Sequence, residues 1–343
     1  MKAVRIHEHG GLEALRYEEI PEPICNDEKV KVQIKSASLN HLDIWIREGF
    51  PGMPLPLPLI MGSDGAGIIS EVGKNVNDWK VGNEVVIQPN TFCGECDYCK
   101  NGKENYCKNY GIIGETENGV QSEFVVLNPI NIYPKAKHLS FVDASSMQLV
   151  YLTSYQMLIT RANLQPNETV LIYGATSGIG SAGIQIAKHL GTKVISTVGS
   201  DNKIEYAKQM GSDFVVNHSS ENWSKQVKEI VGKKGVNVIF EHPGTATWEN
   251  SMRLLAKGGR VVTCGATTGP IVKLDLRHLF MKQQTIIGST MCDMKSFKQV
   301  MKHIENGDYK PFVDKVYPMS EIAEAHKRIE DREQIGKVVV SVE

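Results

Sequence analysis

The residue types most suited to chemistry in this sequence are a group of cysteines. The chain holds seven cysteines, and four of them fall within residues 93–107 with the spacing C-x2-C-x2-C-x7-C. This spacing can bring four thiolates around one tetrahedral ion, and four sulfur ligands favour zinc and leave no position for water or substrate. An iron–sulfur cluster is the alternative, although nothing else in the sequence indicates electron transfer. The sequence therefore predicts one structural zinc, bound by Cys93, Cys96, Cys99 and Cys107.

A glycine-rich turn behind an apolar strand predicts a dinucleotide site. Residues 170–173 are typical of a buried strand, and GATSGIGSAG follows at residues 174–183, where an amphipathic helix begins. In this context we expect Gly178 to permit the turn, Gly180 to let the backbone approach a pyrophosphate, and Gly183 to let the helix pack on the strand. The helix N-terminus supplies free N–H groups for the anion. The alternative is a turn that only packs. The predicted cofactor contacts here are Ser177, Gly178, Ile179, Gly180 and Gly183.

The end of the next strand bears on which cofactor binds. A site for NADH usually places Asp or Glu about 20 residues after the first glycine, against the ribose 2′-hydroxyl. Val198 stands there, and the loop that follows contains Ser200 and Lys203, whose hydroxyl and ammonium can hold a 2′-phosphate. The sequence therefore predicts a preference for NADP(H), with Asp201 in the acidic role as the alternative.

Composition excludes several classes of protein. The chain has 343 residues, enough for about two domains, and its 38 basic against 39 acidic residues leave a formal charge of −1. This balance does not favour nucleic acid or an anionic membrane surface as a partner. The N-terminal residues lack the apolar stretch of a secretory signal, and no run approaches the roughly 18 apolar residues of a membrane span. We expect a cytoplasmic enzyme that acts on a small-molecule substrate.

Periodicity separates two regions. Up to about residue 137 the chain is rich in turns and short strands, predicted at residues 30–34, 67–72, 84–87 and 124–127. From residue 169 to 289 apolar strands, predicted at residues 170–173, 193–198, 214–216, 236–240, 260–264 and 285–289, alternate with helical patterns, which is typical of a parallel sheet covered on both faces. A helix near residues 321–331 and a strand at 337–342 end the chain. We predict one domain from residues 1–137 with 306–343, and a dinucleotide-binding domain over residues 138–305.

Taken in order, these motifs resemble the medium-chain dehydrogenase/reductase superfamily over essentially the whole chain. The matching segments are LNHLD at residues 39–43, GSDGAG at 62–67, VGNEV at 81–85, the four cysteines, LTSY at 152–155, the glycine turn, KGGR at 257–260 and GKVVV at 336–340. The resemblance implies an α/β protein with a GroES-like β-barrel domain, a Rossmann domain, structural zinc in the cysteine segment, and a homodimer or homotetramer.

Departures from the family pattern concern the catalytic zinc. Alcohol dehydrogenases of this superfamily hold that ion with Cys, His, and Cys or Glu, at positions that match Asn40, Ser63 and Leu149 here. None of these three replaces a thiolate or imidazole. The chain resembles instead the quinone oxidoreductase and enoyl reductase branch, which transfers hydride from NADPH without a catalytic metal. An atypical metal site made by His41, Asp43 and Asp64 is the alternative, because on a strand His41 and Asp43 would share a face.

The resemblance also implies further site residues. Asn40, Asp43 and Thr153 are the candidate catalytic residues, and the hydrogen-bond donor to a developing enolate is the Asn40 amide, a backbone N–H or water. Tyr151 and Tyr155 flank the expected site, although a Tyr beside an apolar helix is more often a core residue than an acid. Arg47 is a candidate ligand for an anionic group of the substrate, and an exposed Arg is the simpler interpretation. The additional cofactor contacts that the resemblance implies are Cys264, Gly265, Gly288, Ser289, Thr290 and Lys337.

Three functional hypotheses follow. The first is an NADPH-dependent reductase of an activated alkene or quinone, with enones, quinones or an enoyl-CoA such as acryloyl-CoA as substrates. The second is an NAD(P)-dependent alcohol dehydrogenase with an atypical metal site. The third is a dinucleotide-binding protein without turnover. Metal content separates the first two, and turnover separates both from the third.

Overall fold

The chain forms two compact units in the computed structural model, which describes residues 1–50, 52 and 54–342. Unit 1 comprises residues 1–150 and 310–343, and unit 2 comprises residues 151–309. Among the described residues, no helix has the length and apolar character needed to cross a bilayer.

Unit 1 is mainly β-structure. Its elements before the crossover are β1 (Lys2–Ile6), β2 (Arg16–Glu19), β3 (Val30–Ser38), α1 (His41–Glu48), β4 (Leu59–Ile60), β5 (Asp64–Val72), β6 (Glu84–Ile87), β7 (Asn90–Thr91), α2 (Asp97–Lys100), β8 (Gly111–Ile112), β9 (Phe124–Leu127), β10 (Ile132–Pro134), α3 (Phe141–Ser145) and the start of α4 (Gln148–Tyr155).

Three sheets enclose one apolar core in unit 1. The largest sheet has the strand order β10-β6-β5-β3, followed by two strands from the C-terminal segment, and β9 also pairs with β3. The two smaller sheets have the strand orders β2-β1-β4 and β7-β8. Side chains such as Val32, Ile34 and Ile69 are fully buried in the core. The antiparallel register of β3 and β5 sets Ser38 opposite Asp64, at the ends of both strands where the candidate site begins.

Unit 2 contains one parallel sheet with helices between its strands. Its elements are β11 (Thr169–Ile172), α5 (Gly178–His189), β12 (Lys193–Val198), α6 (Ile204–Gln209), β13 (Phe214–Asn217), α7 (Trp223–Val231), β14 (Val236–Glu241), α8 (Trp248–Leu254), β15 (Leu255–Thr263), α9 (Leu276–Met281), β16 (Thr285–Gly288) and α10 (Met294–Glu305). The strand order is β13-β12-β11-β14-β15-β16, and every pair is parallel. This is the 3-2-1-4-5-6 order of the doubly wound dinucleotide-binding fold.

After unit 2 the chain returns to unit 1 through β17 (Val313–Pro318), α11 (Ile322–Glu330) and β18 (Lys337–Ser341). Strand β18 lies between β17 and β3 in the large sheet. The C-terminal segment therefore completes the core that the N-terminal residues begin. The predicted α/β class, with a doubly wound sheet and a separate β-rich domain, is confirmed.

Two details differ from the sequence expectations. The contact boundary falls after residue 150, whereas periodicity placed it after residue 137. Residues between them bond to unit 1: the Ser145 carbonyl accepts from Ser38 Oγ at 2.9 Å, and Leu149 N donates to Asp64 Oδ1 at 2.8 Å. Strand β15 also begins five residues before the predicted 260, because a turn-like Gly258 with φ +72° lies inside a strand that shifts register against β14.

Candidate functional site

The cysteine lobe, residues 93–107, gathers four sulfur atoms at one point. The Sγ atoms of Cys93, Cys96, Cys99 and Cys107 all lie within 4.8 Å of one another. Four of these separations are 3.9, 3.5, 3.8 and 3.4 Å. A tetrahedral zinc with bonds of about 2.3 Å requires sulfurs roughly 3.8 Å apart, so the four side chains fit that ion.

Backbone N–H groups in the lobe favour the thiolate form. The N–H of Cys93 points to the sulfur of Cys107 at 3.3 Å, as does that of Asn109, also at 3.3 Å. A hydrogen bond from the Cys99 backbone is the largest of the effects that lower the pKa of Cys96 to about 6, whereas burial raises the pKa of Cys99 to about 12. Thiolates are the form that binds metal, so this donor set suits zinc. The lobe would be a closed, structural site.

The glycine turn lies between β11 and α5. Ser177 caps α5, since its Oγ accepts a hydrogen bond from Gly180 N at 3.0 Å. A Cβ added at Gly180 would stand 2.1 Å from the carbonyl oxygen of Gly174. Gly174 itself has φ +60°, in the left-handed region that favours glycine. The helix therefore begins in direct contact with the end of its strand.

The roles predicted for Gly178 and Gly183 need correction, while the approach of Gly180 to a pyrophosphate stays a prediction. Gly174, rather than Gly178, has the left-handed backbone that the turn requires. Gly180 is the glycine that permits close packing of helix and strand, because backbone atoms of the strand end occupy the space of its absent side chain. Gly183 has room for a Cβ, with Phe240 and Ile172 at ordinary van der Waals distances of 3.5 and 3.6 Å. The pattern G-x-G-x-x-G identified the turn but did not assign Gly178 and Gly183 correctly.

A second loop follows β12 at the same edge of the sheet. Ser200 Oγ donates to Asn202 Oδ1 at 2.5 Å, and Asp201 accepts from Asn217 Nδ2 at 2.7 Å. His218 Nδ1 lies 2.9 Å from Thr197 Oγ1, and its ring lies beside Gly199. Asp201, the alternative ribose ligand, is therefore already hydrogen-bonded to Asn217.

The carboxyl edge of the parallel sheet collects the remaining cofactor candidates of unit 2. Cys264 and Gly265 follow β15, and Ser289 and Thr290 follow β16, whose last residue is Gly288. Parallel strands bind ligands at this edge, so the arrangement fits a dinucleotide. Burial raises the pKa of Cys264 to about 12, which keeps the thiol protonated and unreactive.

Neither Glu241 nor His242 was predicted from the sequence as a site residue. Both stand at the end of β14, at the same carboxyl edge. Glu241 is fully buried and accepts hydrogen bonds from Thr247 and Ser251 hydroxyls, both at 2.8 Å, while burial raises its pKa. His242 Nε2 lies 3.0 Å from the Tyr173 carbonyl oxygen, with its ring against Gly174. The sequence contained one signal that could have identified Glu241, namely a charged residue at the end of an apolar strand.

A polar cluster of Asn40, Asp43, Asp64 and Lys337 lies in unit 1. Asp64 Oδ2 accepts from Asn40 Nδ2 at 2.9 Å and from Lys337 Nζ at 3.1 Å. Lys337 Nζ also donates to Asn40 Oδ1 at 2.5 Å. Lys337 is 4% exposed, and its burial lowers the pKa while Asp64 opposes that shift. Lys337, predicted as a cofactor contact, here bonds to side chains of its own unit.

Asp43 completes this polar cluster from the first turn of α1. Its Oδ2 accepts from Asn40 N at 2.7 Å, and the residue is fully buried. Burial raises its pKa to about 7. Residues 41–48 form a helix rather than a strand, so His41 does not share a face with Asp43 as expected. Among the described residues, His41, Asp43 and Asp64 do not form a metal-binding group.

The other candidates have structural partners. Thr153 is buried, with its hydroxyl 3.7 Å from the sulfur of Met291. The hydroxyl of Tyr151 accepts from Gln185 Nε2 at 2.6 Å, and Tyr155 donates to Gln299 at 3.2 Å. Burial raises the pKa of Tyr151, which weakens it as an acid.

Arg47, a candidate ligand for an anionic substrate, is 1% exposed. Its guanidinium pairs with Glu330 and donates to the Gly10 carbonyl oxygen. It also faces His326, whose pKa burial lowers to about 3. Arg47 therefore ties α1 to α11 within unit 1, and the expectation of an available cation at this position is wrong.

Comparison with known proteins identifies the family. The alcohol dehydrogenase GroES-like domain model matches residues 26–137, and the zinc-binding dehydrogenase model matches residues 178–306. The chain belongs to the zinc-type alcohol dehydrogenase family of medium-chain dehydrogenases/reductases, and it is an NAD(P)H-dependent oxidoreductase.

Relatives of this chain carry different activities. The crystal structure of an NAD-dependent alcohol dehydrogenase superimposes on this chain with a TM-score of 0.96 at 39% sequence identity, and the match covers 100% of both chains. Crotonyl-CoA carboxylase/reductase of Cereibacter sphaeroides is 30% identical over 99% of this chain and 87% of its own length. Quinone oxidoreductase of Mus musculus is 32% identical over 96% of this chain and 94% of its own length. The family thus leaves the substrate to be argued from the site.

Proposed function

We propose that this chain transfers hydride from NADPH to an activated carbon–carbon double bond or a quinone without a catalytic metal. The observation that carries the proposal is the polar cluster, in which the Lys337 ammonium is bonded to both Asn40 and Asp64. Substrates of this class are enones, quinones and enoyl-CoA thioesters such as acryloyl-CoA. Relatives named quinone oxidoreductase and crotonyl-CoA carboxylase/reductase support that class.

The donor set at the family's catalytic metal position does not suit zinc. Asn40, Ser63 and Leu149, which match the metal ligands, supply an amide, a hydroxyl and an aliphatic side chain. Zinc in proteins is bound by thiolate, imidazole or carboxylate. Lys337 also brings a positive charge to Asn40, and a second cation would be repelled there. The proposed reaction therefore uses no metal ion at this position.

Asn40 would polarise the substrate oxygen in this proposal. Its Oδ1 accepts from Lys337 and one amide hydrogen goes to Asp64, which fixes the orientation of the amide. The second amide hydrogen is then available to the oxygen that becomes negative when hydride adds to the β-carbon of an enone or enoyl thioester. Lys337 and Asp64 act as positioning residues for Asn40.

The carboxyl edge of unit 2 would hold the cofactor. NADPH supplies the hydride when bound. Gly180 and its neighbours present the N-terminal N–H groups of α5 to a pyrophosphate, while Ser177 caps the same helix. Ser200 and Lys203 would hold the 2′-phosphate. The nicotinamide half of the cofactor would lie along Cys264 and Gly265, along Gly288 to Thr290, and beside Thr153.

The cofactor preference is tested by the variant Ser200→Ala/Lys203→Ala. Loss of a charge-assisted phosphate contact of about 1.5–3 kcal/mol should raise KM for NADPH roughly 10- to 100-fold and change KM for NADH little. The control is Lys208→Ala, which removes an exposed cation that is paired with Glu205 one turn away. Equal losses for both cofactors would disprove the assignment.

The reaction is tested by oxidation of NADPH and NADH at 340 nm against a quinone, a small enone, crotonyl-CoA and acryloyl-CoA, with alcohols assayed in reverse. We expect turnover with NADPH on one class of activated alkene or quinone, and a lower kcat in Asn40→Ala with KM for NADPH unchanged. Alcohol oxidation that is lost with a removable metal and restored by Zn²⁺ would overturn the proposal in favour of an alcohol dehydrogenase.

The cysteine lobe supports a proposal of one structural zinc per chain. The sulfur separations of 3.4–3.9 Å and the backbone donors to sulfur carry it. The lobe is closed by four protein ligands, so the ion would stabilise structure and take no part in hydride transfer.

We also propose a homodimer or homotetramer joined through strand β16. This strand ends the parallel sheet on one side, and edge strands carry unpaired backbone groups. Apolar side chains near it are exposed, among them Phe280 at 66%, Met281 at 69% and Ile286 at 38%. Light scattering on Phe280→Lys should show a smaller assembly than the parent chain. An unchanged mass would place the interface elsewhere.

A further inference from the structure

Two histidines and an aspartate converge on the surface of unit 2, outside the cysteine lobe and the cofactor edge. His189 is the last residue of α5, His303 lies in the last turn of α10, and Asp308 follows α10. One ligand atom from each side chain lies within 4.8 Å of the other two. The segments that carry them are more than 100 residues apart in sequence at the widest, so only the fold brings them together.

A buried aromatic floor supports the two imidazoles. The ring of His303 lies 5.0 Å from the ring of Tyr309, and that of His189 lies 5.8 Å from it. Tyr309 is 2% exposed and stacks on Tyr151 at 5.2 Å. The floor restricts both imidazoles before any ligand arrives, while His189 and Asp308 remain open to solvent. Little side-chain entropy would be lost on binding an ion.

The helix ends add a favourable field. Helix α5 ends at His189 and α10 ends at Glu305, so two C-terminal ends approach this cluster. Helix C-termini carry partial negative charge from unpaired carbonyl groups and favour cations. The carboxylate of Asp308 adds a further negative charge at the same place. Charge and ligand type both favour a divalent cation.

We propose that His189, His303 and Asp308 form a second metal site that takes a divalent transition-metal ion such as Zn²⁺. Two imidazoles and one carboxylate suit zinc, cobalt, nickel or copper, whereas magnesium and calcium prefer oxygen ligands alone. Water completes the coordination. The site is independent of the cysteine lobe, since the two lie in different units.

Binding requires a small rearrangement. His303 Nδ1 and Asp308 Oδ2 share a hydrogen bond of 2.8 Å. The ion binds Nδ1 of His303 in place of the proton shared with Asp308. The neutral ring of His303 then carries its proton on Nε2. Bonds of about 2.0–2.1 Å place tetrahedral ligands roughly 3.3 Å apart, so the His303–Asp308 pair opens slightly. Apart from this proton transfer from Nδ1 to Nε2 of His303, which breaks one N–H bond and forms another, only metal–ligand bonds form.

The proposed second metal site changes what the number of metal ions per chain indicates about the reaction. A chain with zinc in the cysteine lobe and zinc here would contain two ions, the same number as a dehydrogenase with structural and catalytic zinc. Two ions per chain would therefore not identify an alcohol dehydrogenase. The inference does not depend on the proposed reaction, because its measurement is metal binding.

The experiment is a calorimetric titration of Zn²⁺ into full-length protein whose weakly bound metal has been removed by brief dialysis against a mild chelator. We expect one equivalent to bind to the parent chain and to the control His138→Ala, which removes an exposed histidine elsewhere. We expect none to bind to His303→Ala or His189→Ala, and at least tenfold weaker binding to Asp308→Asn.

A second measurement covers variants that fold poorly. The electron paramagnetic resonance spectrum of one equivalent of Cu²⁺ on the parent chain should show coupling to two nitrogen nuclei, and that signature should be lost in His189→Ala. The proposal is overturned if the parent chain takes up no Zn²⁺ beyond the cysteine lobe. Uptake that is the same in the parent chain and all three variants would overturn it equally.

Discussion

The cysteine lobe and the polar cluster occupy the same unit and correspond to the two metal positions of the family, yet they are chemically opposite. The lobe gathers four sulfur atoms that, as thiolates, would together require a cation. The polar cluster already contains one, because the Lys337 ammonium lies 3.1 Å from Asp64. One position is built to receive an ion, and the other has its charge balanced by the chain itself.

This difference explains how the same fold can lose one metal site and keep another. A thiolate group without its ion has unbalanced charge and would destabilise the lobe. A carboxylate paired with a buried ammonium and an amide is satisfied without any ion. The chain can thus hold the geometry around Asn40 without a metal, as the proposed function requires.

The largest expected effect is at the lobe. Cys107→Ser should remove the zinc and cost about 5 kcal/mol, a part of the 10–16 kcal/mol with which such ions stabilise zinc-finger peptides. This corresponds to a fall in Tm of about 10–20 °C. Metal analysis and thermal unfolding measure both effects.

The matched control is Cys25→Ser, which changes a half-buried cysteine outside the lobe. It should keep its zinc and its Tm within a few degrees. A metal-free Cys107→Ser protein with the stability of the parent chain would show that the lobe needs no ion and would remove the contrast with the polar cluster.

Lys337→Met should have the next largest effect. It leaves the Asp64 carboxylate buried without its cation, at a cost of about 3–5 kcal/mol. The double variant Asp64→Asn/Lys337→Met removes both charges and should recover a large part of that loss. Urea unfolding of the four proteins forms a double-mutant cycle. The exposed Lys327→Met serves as the control for loss of a lysine.

Additive effects of Asp64→Asn and Lys337→Met would contradict the pairing. Binding of zinc at the polar cluster in Lys337→Met would support the contrast with the cysteine lobe, because it would mean that the ammonium alone excludes a metal from this position.

The third expected effect is a pH dependence from Asp43. Its pKa is raised from 3.8 to about 7 by burial, so the folded state binds a proton more tightly than the unfolded state. The stability from this group is present below about pH 4 and is lost as pH rises through 7, by at most about 1.4 kcal/mol per pH unit. Asp43→Asn should lack this decline.

Unfolding free energies of the parent chain and Asp43→Asn at several values between pH 4.5 and 8 measure the decline. Asp78→Asn, an exposed position, should follow the parent chain. Parallel curves for the parent chain and Asp43→Asn would show that Asp43 stays ionised throughout, and that the polar cluster carries one more negative charge than we infer.

Local spacing made part of the molecule predictable. The strands at residues 84–87, 124–127 and 193–198 coincide with β6, β9 and β12, because their apolar runs are bounded by turn residues. The cysteine lobe and the glycine turn were recognised for the same reason, since each is contained in one short segment. The strand β15 began earlier than expected because two glycines inside it resemble a turn.

Contacts between distant segments were not predictable. Lys337 was assigned to the cofactor, and the structure bonds it to Asn40, 297 residues earlier in the chain. Arg47 was expected as an available cation, and Glu330 on α11 neutralises it. Neither pairing has a signature in one sequence, because each depends on where the C-terminal segment inserts its strand.

The α/β class, the family and the four-cysteine segment follow from the amino-acid sequence, because periodicity and short-range spacing report on structure formed within a few turns of chain. Tertiary packing is needed to bring an ammonium among Asn40, Asp43 and Asp64, and to bring two histidines and Asp308 together at two helix ends. Such groups are assembled by sheet pairing and helix packing across the chain, and their charges and burial exist only after those elements have come together.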